Sequence, residues 1–120
     1  MKVLITGATG LIGTAVWTRL SDSPDQYVLK GFDLVGDPGR DIFEGNVADF
    51  DSVHAALVGQ DAVVHLGANG GPGDRWDQLR ESNLVGAYNI FEAARETGVK
   101  RVIFASTGQV TWNYEQENDL

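Results

Sequence analysis

At 120 residues the chain has room for one domain, with a core large enough to need no disulfide or metal staple. Its formal net charge of −8 argues against nucleic acid and anionic membrane surfaces as partners, since both call for basic patches. It has no cysteine, no basic-then-apolar leader and no apolar run approaching a membrane span, so it reads as soluble and cytoplasmic, without disulfides or thiolate metal sites.

The chain opens with a β-branched run, Val3 to Thr6, read as a buried parallel strand. The run breaks into glycines spaced three apart, Gly7, Gly10 and Gly13. From Leu11 to about Leu20, the residues Ile12, Val16 and Leu20 recur at helical spacing. Strand, glycine turn and helix in that order make a cradle for a phosphate. Gly7 lets the chain turn sharply, and Gly10 lacks the Cβ that would hold a pyrophosphate away from the backbone. Gly13 lets the helix lie close to the sheet. Thr9, Leu11 and Ile12 belong to the same cradle, where the N–H groups and positive dipole end of the helix face the anion.

Ser21 to Asp25 ends that helix, and Tyr27 to Asp33 is a second strand. Asp33 closes it, 20 residues past Gly13. A carboxylate there accepts both ribose hydroxyls of an adenosine and repels a 2′-phosphate. The next cation along the chain is Arg40, seven residues on, which favours NAD over NADP. Leu34 to Arg40 reads as a loop and Ile42 to Gly45 as a short third strand. Asp49 is placed to N-cap a helix from Phe50 to Val58, with Gly59 just past its end. Asp61 to Leu66 is a fourth strand and Asn69 to Asp74 a flexible loop. Arg75 to Thr97 reads as one long helix with Trp76, Leu79, Asn83, Ala87, Ile90 and Ala94 on a single face, stopped by Gly98. Arg101 to Ala105 is a fifth strand.

After Thr107 the sequence turns polar and loses its period. Residues 1–107 therefore read as the domain, and 108–120 as an irregular polar tail. Alternating strands and helices define an α/β fold, a Rossmann-type doubly wound parallel sheet in the order 3-2-1-4-5. Its ligand crevice is expected at the carboxyl ends of strands 1 and 4. His65 reads as a core or strand-end histidine and His54 as part of a solvated helix face; with no cysteine beside them they make no metal site. Trp17 and Trp76 are expected to cover apolar surface. In this topology the first helix alone covers its face and strand 5 is an open edge, so a homodimer or association with a further segment is expected.

Four segments carry a family resemblance: Thr6-Gly-Ala-Thr-Gly-Leu-Ile-Gly13, Asp61-Ala-Val-Val-His-Leu-Gly-Ala68, Asn83-Leu-Val-Gly-Ala-Tyr-Asn-Ile-Phe-Glu-Ala-Ala-Arg95 and Val102-Ile-Phe-Ala-Ser-Thr107. In that order and spacing they resemble the amino-terminal half of an extended short-chain dehydrogenase/reductase. The family is that of the NAD-dependent epimerases and dehydratases, and the stretch from His65 to Thr107 is similar to uronate dehydrogenase-like members. The resemblance implies NAD as cofactor and a sugar-like small-molecule substrate. By it, Gly7, Gly10 and Gly13 hold the pyrophosphate and Asp33 the adenosine ribose. Asn46 and Val47 flank the adenine, with Asn46 standing where the family usually has Asp. Leu66, Gly67 and Ala68 line the nicotinamide ribose, Asn83 braces the helix–strand junction, and Thr107 takes the place of the active-site Ser/Thr.

The family's catalytic base is a Tyr followed four positions later by a Lys, on a helix well past Thr107. Tyr114 has Asn118 at that position, with Glu115 and Glu117 to disfavour its phenolate. The 120 residues are therefore expected to bind NAD as part of a dehydrogenase or epimerase without being catalytically competent by themselves. The alternative reading is a non-enzymatic dinucleotide-sensing or partner-binding module.

Overall fold

A computed structural model of the protein describes residues 1–70, 73 and 75–108. Five parallel strands form one sheet: β1 (Lys2–Thr6), β2 (Val28–Asp33), β3 (Ile42–Glu44), β4 (Ala62–His65) and β5 (Arg101–Phe104). Their order is β3-β2-β1-β4-β5, as expected, and every pairing is parallel. The chain switches direction across the sheet at β1, whose neighbours are β2 on one side and β4 on the other. The ends of β1 and β4 therefore diverge from the crossovers that follow them, opening a crevice beyond their carboxyl ends.

Because successive side chains point to opposite faces, the apolar run of β1 feeds two cores. Val3 and Ile5 join Ala8, Ile42, Ala62 and Val64 on one face, covered by Val16, Trp17 and Leu20 of α1 (Leu11–Ser21). Leu4 joins Phe32 and Val63 on the other, under Val53 and Leu57 of α2 (Phe50–Leu57) and Ile90, Ala93 and Ala94 of α4 (Gly86–Thr97). Asp49 caps α2, its carboxylate accepting the Asp51 N–H, and Gly98 ends α4 in the left-handed conformation. The loop from Leu34 to Arg40 holds a single 3₁₀ turn, Pro38–Arg40. Gly108 apart, the polar tail with Trp112 and Tyr114 lies outside the described residues.

Two expectations need correction. The segment from Arg75 to Thr97 is not one regular helix. A short helix α3 (Trp76–Leu79) passes into a π-helical turn, Arg80–Val85, before α4 begins. Within the turn the Gly86 N–H bonds Glu81 O, five residues back. The wide turn rotates the first part of the segment relative to the second, which breaks the single apolar face. Trp76 is consequently 68% exposed, while α4 buries Gly86, Asn89, Ile90, Ala93 and Ala94. Trp17, by contrast, packs on the core as expected.

β5 is an edge strand of the described sheet, and three of its four residues are exposed. Ile103 pairs with Val64, so it lies on the face that α1 covers near β1 and β2 but leaves bare here. On the opposite face Phe104, Phe91 and Tyr88 form an exposed aromatic ridge, with Phe91 and Phe104 edge to face.

Candidate functional site

The site is built first by two glycines. Gly7 turns the chain off β1 at φ +68°, a conformation that costs glycine least. Gly13, in the first turn of α1, lies so near that turn that a Cβ on it would stand 2.0 Å from Gly7 O. This contact brings the amino end of α1 onto the carboxyl end of β1. Gly10 is the N-cap of α1 and no side chain caps the helix. The first N–H groups therefore remain for a ligand, and they carry the positive end of the helix dipole. A Cβ on Gly10 would meet only Gly7 O within 4 Å, so the space beyond it is open.

That space is a crevice of about 370 Å³. Gly7, Thr9, Gly10, Asp33, Asn46 and Val47 line it on one side, and Leu66, Gly67 and Ala68 on the other. Leu11 and Ile12 are exposed on the first turn of α1 and do not line it, so what they offer toward it is backbone. Gly13 lies buried beneath the turn. Thr107, exposed three residues past β5, is not among the lining residues.

Asp33 is held at the end of β2 by three donors. Its Oδ2 accepts from Thr9 N and Thr9 Oγ1, both at 2.8 Å, and its Oδ1 from Leu34 N at 2.7 Å. Arg40, the nearest following cation, is turned onto Asp37 at 2.7 Å and so does not offset the Asp33 charge. Its guanidinium holds the Asp37 carboxyl below the usual carboxylate range. Asn46 Oδ1 accepts the Ala48 N–H at 2.9 Å, and buried Asn89 donates to Val47 O, fixing the segment after β3 against α4.

The opposite wall depends on Thr6, whose role the sequence did not reveal. Its Oγ1 accepts from Gly67 N at 3.1 Å and from Leu66 N at 3.2 Å, and lies 2.7 Å from His65 Nδ1. A hydroxyl has one proton and two lone pairs. With both lone pairs facing N–H groups, the proton must go to His65, so Nδ1 is the acceptor and the imidazole is the neutral Nε2–H tautomer. Burial agrees, since it lowers the His65 pKa from 6.5 to about 4. His65 stacks on Phe104 of β5, which carries the contact one strand further.

Asn83 braces the loop beyond β4. Its amide grips Asn69 at both ends, accepting from Asn69 N at 2.8 Å and donating to Asn69 O at 2.6 Å. The π-helical turn brings Asn83 to Asn69 and also places Glu81 and Ser82 on the crevice wall, beside Gln78. These three, with Phe32, Leu34 and Gly45, were missed from sequence. Leu34 and Gly45 sit next to predicted positions, but Glu81 and Ser82 reach the wall only through a turn that no periodicity announces.

The sequence profile of the NAD dependent epimerase/dehydratase family matches residues 3–119, and the chain belongs to that family. Uronate dehydrogenase of Pseudomonas syringae pv. tomato is 35% identical over 126 residues, covering 99% of this chain and 44% of its own length. L-arabinose 1-dehydrogenase (NAD(P)(+)) of Haloferax volcanii is 34% identical over 113 residues, covering 94% of this chain and 43% of its own length. Among solved structures, a variant of uronate dehydrogenase from Agrobacterium tumefaciens complexed with NAD matches with a TM-score of 0.77 at 34% identity. That match covers 88% of this chain and 40% of the other. The chain thus spans less than half the length of these relatives.

The neutral His65 has a consequence for stability. Its pKa is lower in the folded state than in the unfolded, so its contribution is intact above about pH 6.5. It falls away as pH drops toward 4, where the unfolded chain is protonated and the folded one is not. The loss amounts to roughly 3 kcal/mol across that window. Urea unfolding of His65→Asn, which keeps an acceptor for Thr6 and does not titrate, is predicted to show a shallower decline between pH 6.5 and 4. Equal slopes for the two proteins would contradict the assignment.

Proposed function

We propose that residues 1–107 form the NAD-binding domain of an extended short-chain dehydrogenase or epimerase acting on a sugar or sugar acid. The observation that carries this reading is a convergence on one crevice. The uncapped amino end of α1, the bare opening at Gly10 and the Asp33 carboxylate all face it. An anion at the helix and a ribose at the acid are the two recognition elements of a dinucleotide.

On this reading Gly7, Thr9 and Gly10 shape the turn, the N–H groups of Leu11, Ile12 and Gly13 at the uncapped amino end of α1 hold the pyrophosphate, and Asp33 binds the adenosine ribose. Asn46 and Val47 flank the adenine. Leu66, Gly67 and Ala68 line the nicotinamide ribose, and Asn83 keeps their loop in place through Asn69. Bound NAD would supply hydride acceptance and donation. A 2′-phosphate would meet the Asp33 carboxylate with Arg40 already committed to Asp37, which favours NAD over NADP.

Thr107 stands where the family places the hydroxyl that touches the reacting substrate oxygen. None of Tyr27, Tyr88 and Tyr114 has a lysine four positions on. Residues 1–120 by themselves are therefore proposed to bind cofactor without turning it over. Relatives that act on uronate and L-arabinose support a sugar-like substrate for the complete protein. NADH fluorescence is predicted to titrate with the wild-type chain, and Asp33→Ala to weaken binding at least roughly tenfold through loss of a charged hydrogen-bond acceptor. A folded sample that binds no NADH at millimolar concentration would overturn the assignment.

The aromatic ridge of Tyr88, Phe91 and Phe104 is proposed to be covered by a second copy when residues 1–120 are on their own. Exposed apolar patches beside an open sheet edge drive self-association. Sedimentation is predicted to show concentration-dependent dimerisation that Tyr88→Glu abolishes. A wild-type chain that remains monomeric at every concentration would contradict this.

A further inference from the structure

Asn69 is the one asparagine of the chain that glycine follows; Asn46, Asn83, Asn89, Asn113 and Asn118 each precede a residue with a side chain. The pairing matters because a backbone nitrogen can attack the side-chain amide of the residue before it. Glycine, having no Cβ, leaves that approach unhindered. Asn69 and Gly70 are both exposed, and a Cβ added to Gly70 would meet nothing within 4 Å. Asn83 holds Asn69 through its N–H and its carbonyl. Among the described residues no bond engages the Gly70 N–H, the group that must lose its proton and attack.

We propose that Asn69 and Gly70 form a self-modification site on the crevice wall, where deamidation turns the neutral Asn69 side chain into a carboxylate. The Gly70 nitrogen gives up its proton and bonds to Asn69 Cγ. The Cγ–Nδ2 bond breaks, and the departing nitrogen takes up a proton and leaves as ammonia. Water then opens the succinimide. Attack at Cγ yields aspartate. Attack at the Asn69 main-chain carbonyl carbon yields isoaspartate, in which the chain runs through the side-chain methylene. Either product adds one negative charge to a crevice that already holds Asp33 and Glu81, in a chain of net charge −8. Isoaspartate also takes the carbonyl that Asn83 Nδ2 bonds out of the main chain, so Asn83 no longer fixes the path to Gly70. Resting on the reading that the crevice takes NAD, the modified wall repels the pyrophosphate, and dinucleotide binding declines as the protein ages.

The test ages the folded wild-type chain and Gly70→Val side by side in mildly alkaline buffer. Gly70 needs no left-handed conformation and has open space at its Cβ, so the variant is expected to fold, and melting curves check this. Its branched side chain crowds the attacking nitrogen. The wild-type chain is predicted to gain about one dalton in the peptide that holds Asn69, and to become a methyl acceptor for protein isoaspartate methyltransferase. Gly70→Val should do neither at that position. NADH affinity, read by fluorescence, is predicted to fall roughly threefold or more in the aged wild type, in step with conversion, and to stay level in the aged variant. A folded wild-type chain that keeps Asn69 intact while the urea-unfolded chain converts it would overturn the inference and leave the NAD reading standing. Full conversion with unchanged NADH affinity would do the same. If the fresh wild-type chain fails to bind NADH, the NAD reading falls and takes the effect on binding with it, while the mass and methylation results still decide the modification.

Discussion

The close approach of Gly13 to Gly7 is the contact on which the rest of the structure depends. An added Cβ would stand 2.0 Å from a backbone oxygen, and backbone cannot move aside as a flexible side chain can. The contact sets the first turn of α1 directly over the end of β1. It therefore points a helix amino end, with its unpaired N–H groups, into the space where β1 and β4 part. The open, uncapped helix end is a by-product of helix–sheet packing, and a larger residue at either position would displace it.

The crevice has a second wall, and Thr6 and Asn83 hold it. Thr6 ends β1, yet its hydroxyl organises the backbone beyond β4 through Leu66, Gly67 and His65. Asn83 performs the same task from the helical side by gripping Asn69. Both are short polar side chains bonded to backbone amides, which is how a loop is held without a core of its own. Asp33 completes the arrangement by tying the end of β2 to the glycine turn through Thr9. Thr6 and Asp33 tie together segments that belong to different strands, and Asn83 ties the loop after β4 to the helical segment that follows it, so the crevice is shaped from within the chain.

The strand order, the glycine turn and the acid at the end of β2 were legible because each has a local signature. Apolar runs of strand length alternate with helical periods, and right-handed crossovers then leave one sheet order. What escaped was tertiary in origin. The π-helical turn at Arg80–Val85 accompanies the hydrogen bonds of Asn83 to Asn69, and helical periodicity read through it gave Trp76 an apolar surface to cover, whereas it is exposed. The partnership of Thr6 with His65 joins residues 59 apart in the chain. The hydrogen bonds from Thr9 to Asp33 likewise join residues 24 apart in the chain.

The central claim is that one crevice, walled by the glycine turn, the end of β2 and the loop beyond β4, receives a dinucleotide. The most direct test maps amide chemical shifts of the ¹⁵N-labelled chain as NAD is added. The account predicts that the largest shifts fall on Gly7 to Gly13, on Asp33 and Leu34, and on Leu66 to Ala68. Shifts concentrated elsewhere, on the outer face of α1 or along the ridge of Tyr88, Phe91 and Phe104, would contradict it.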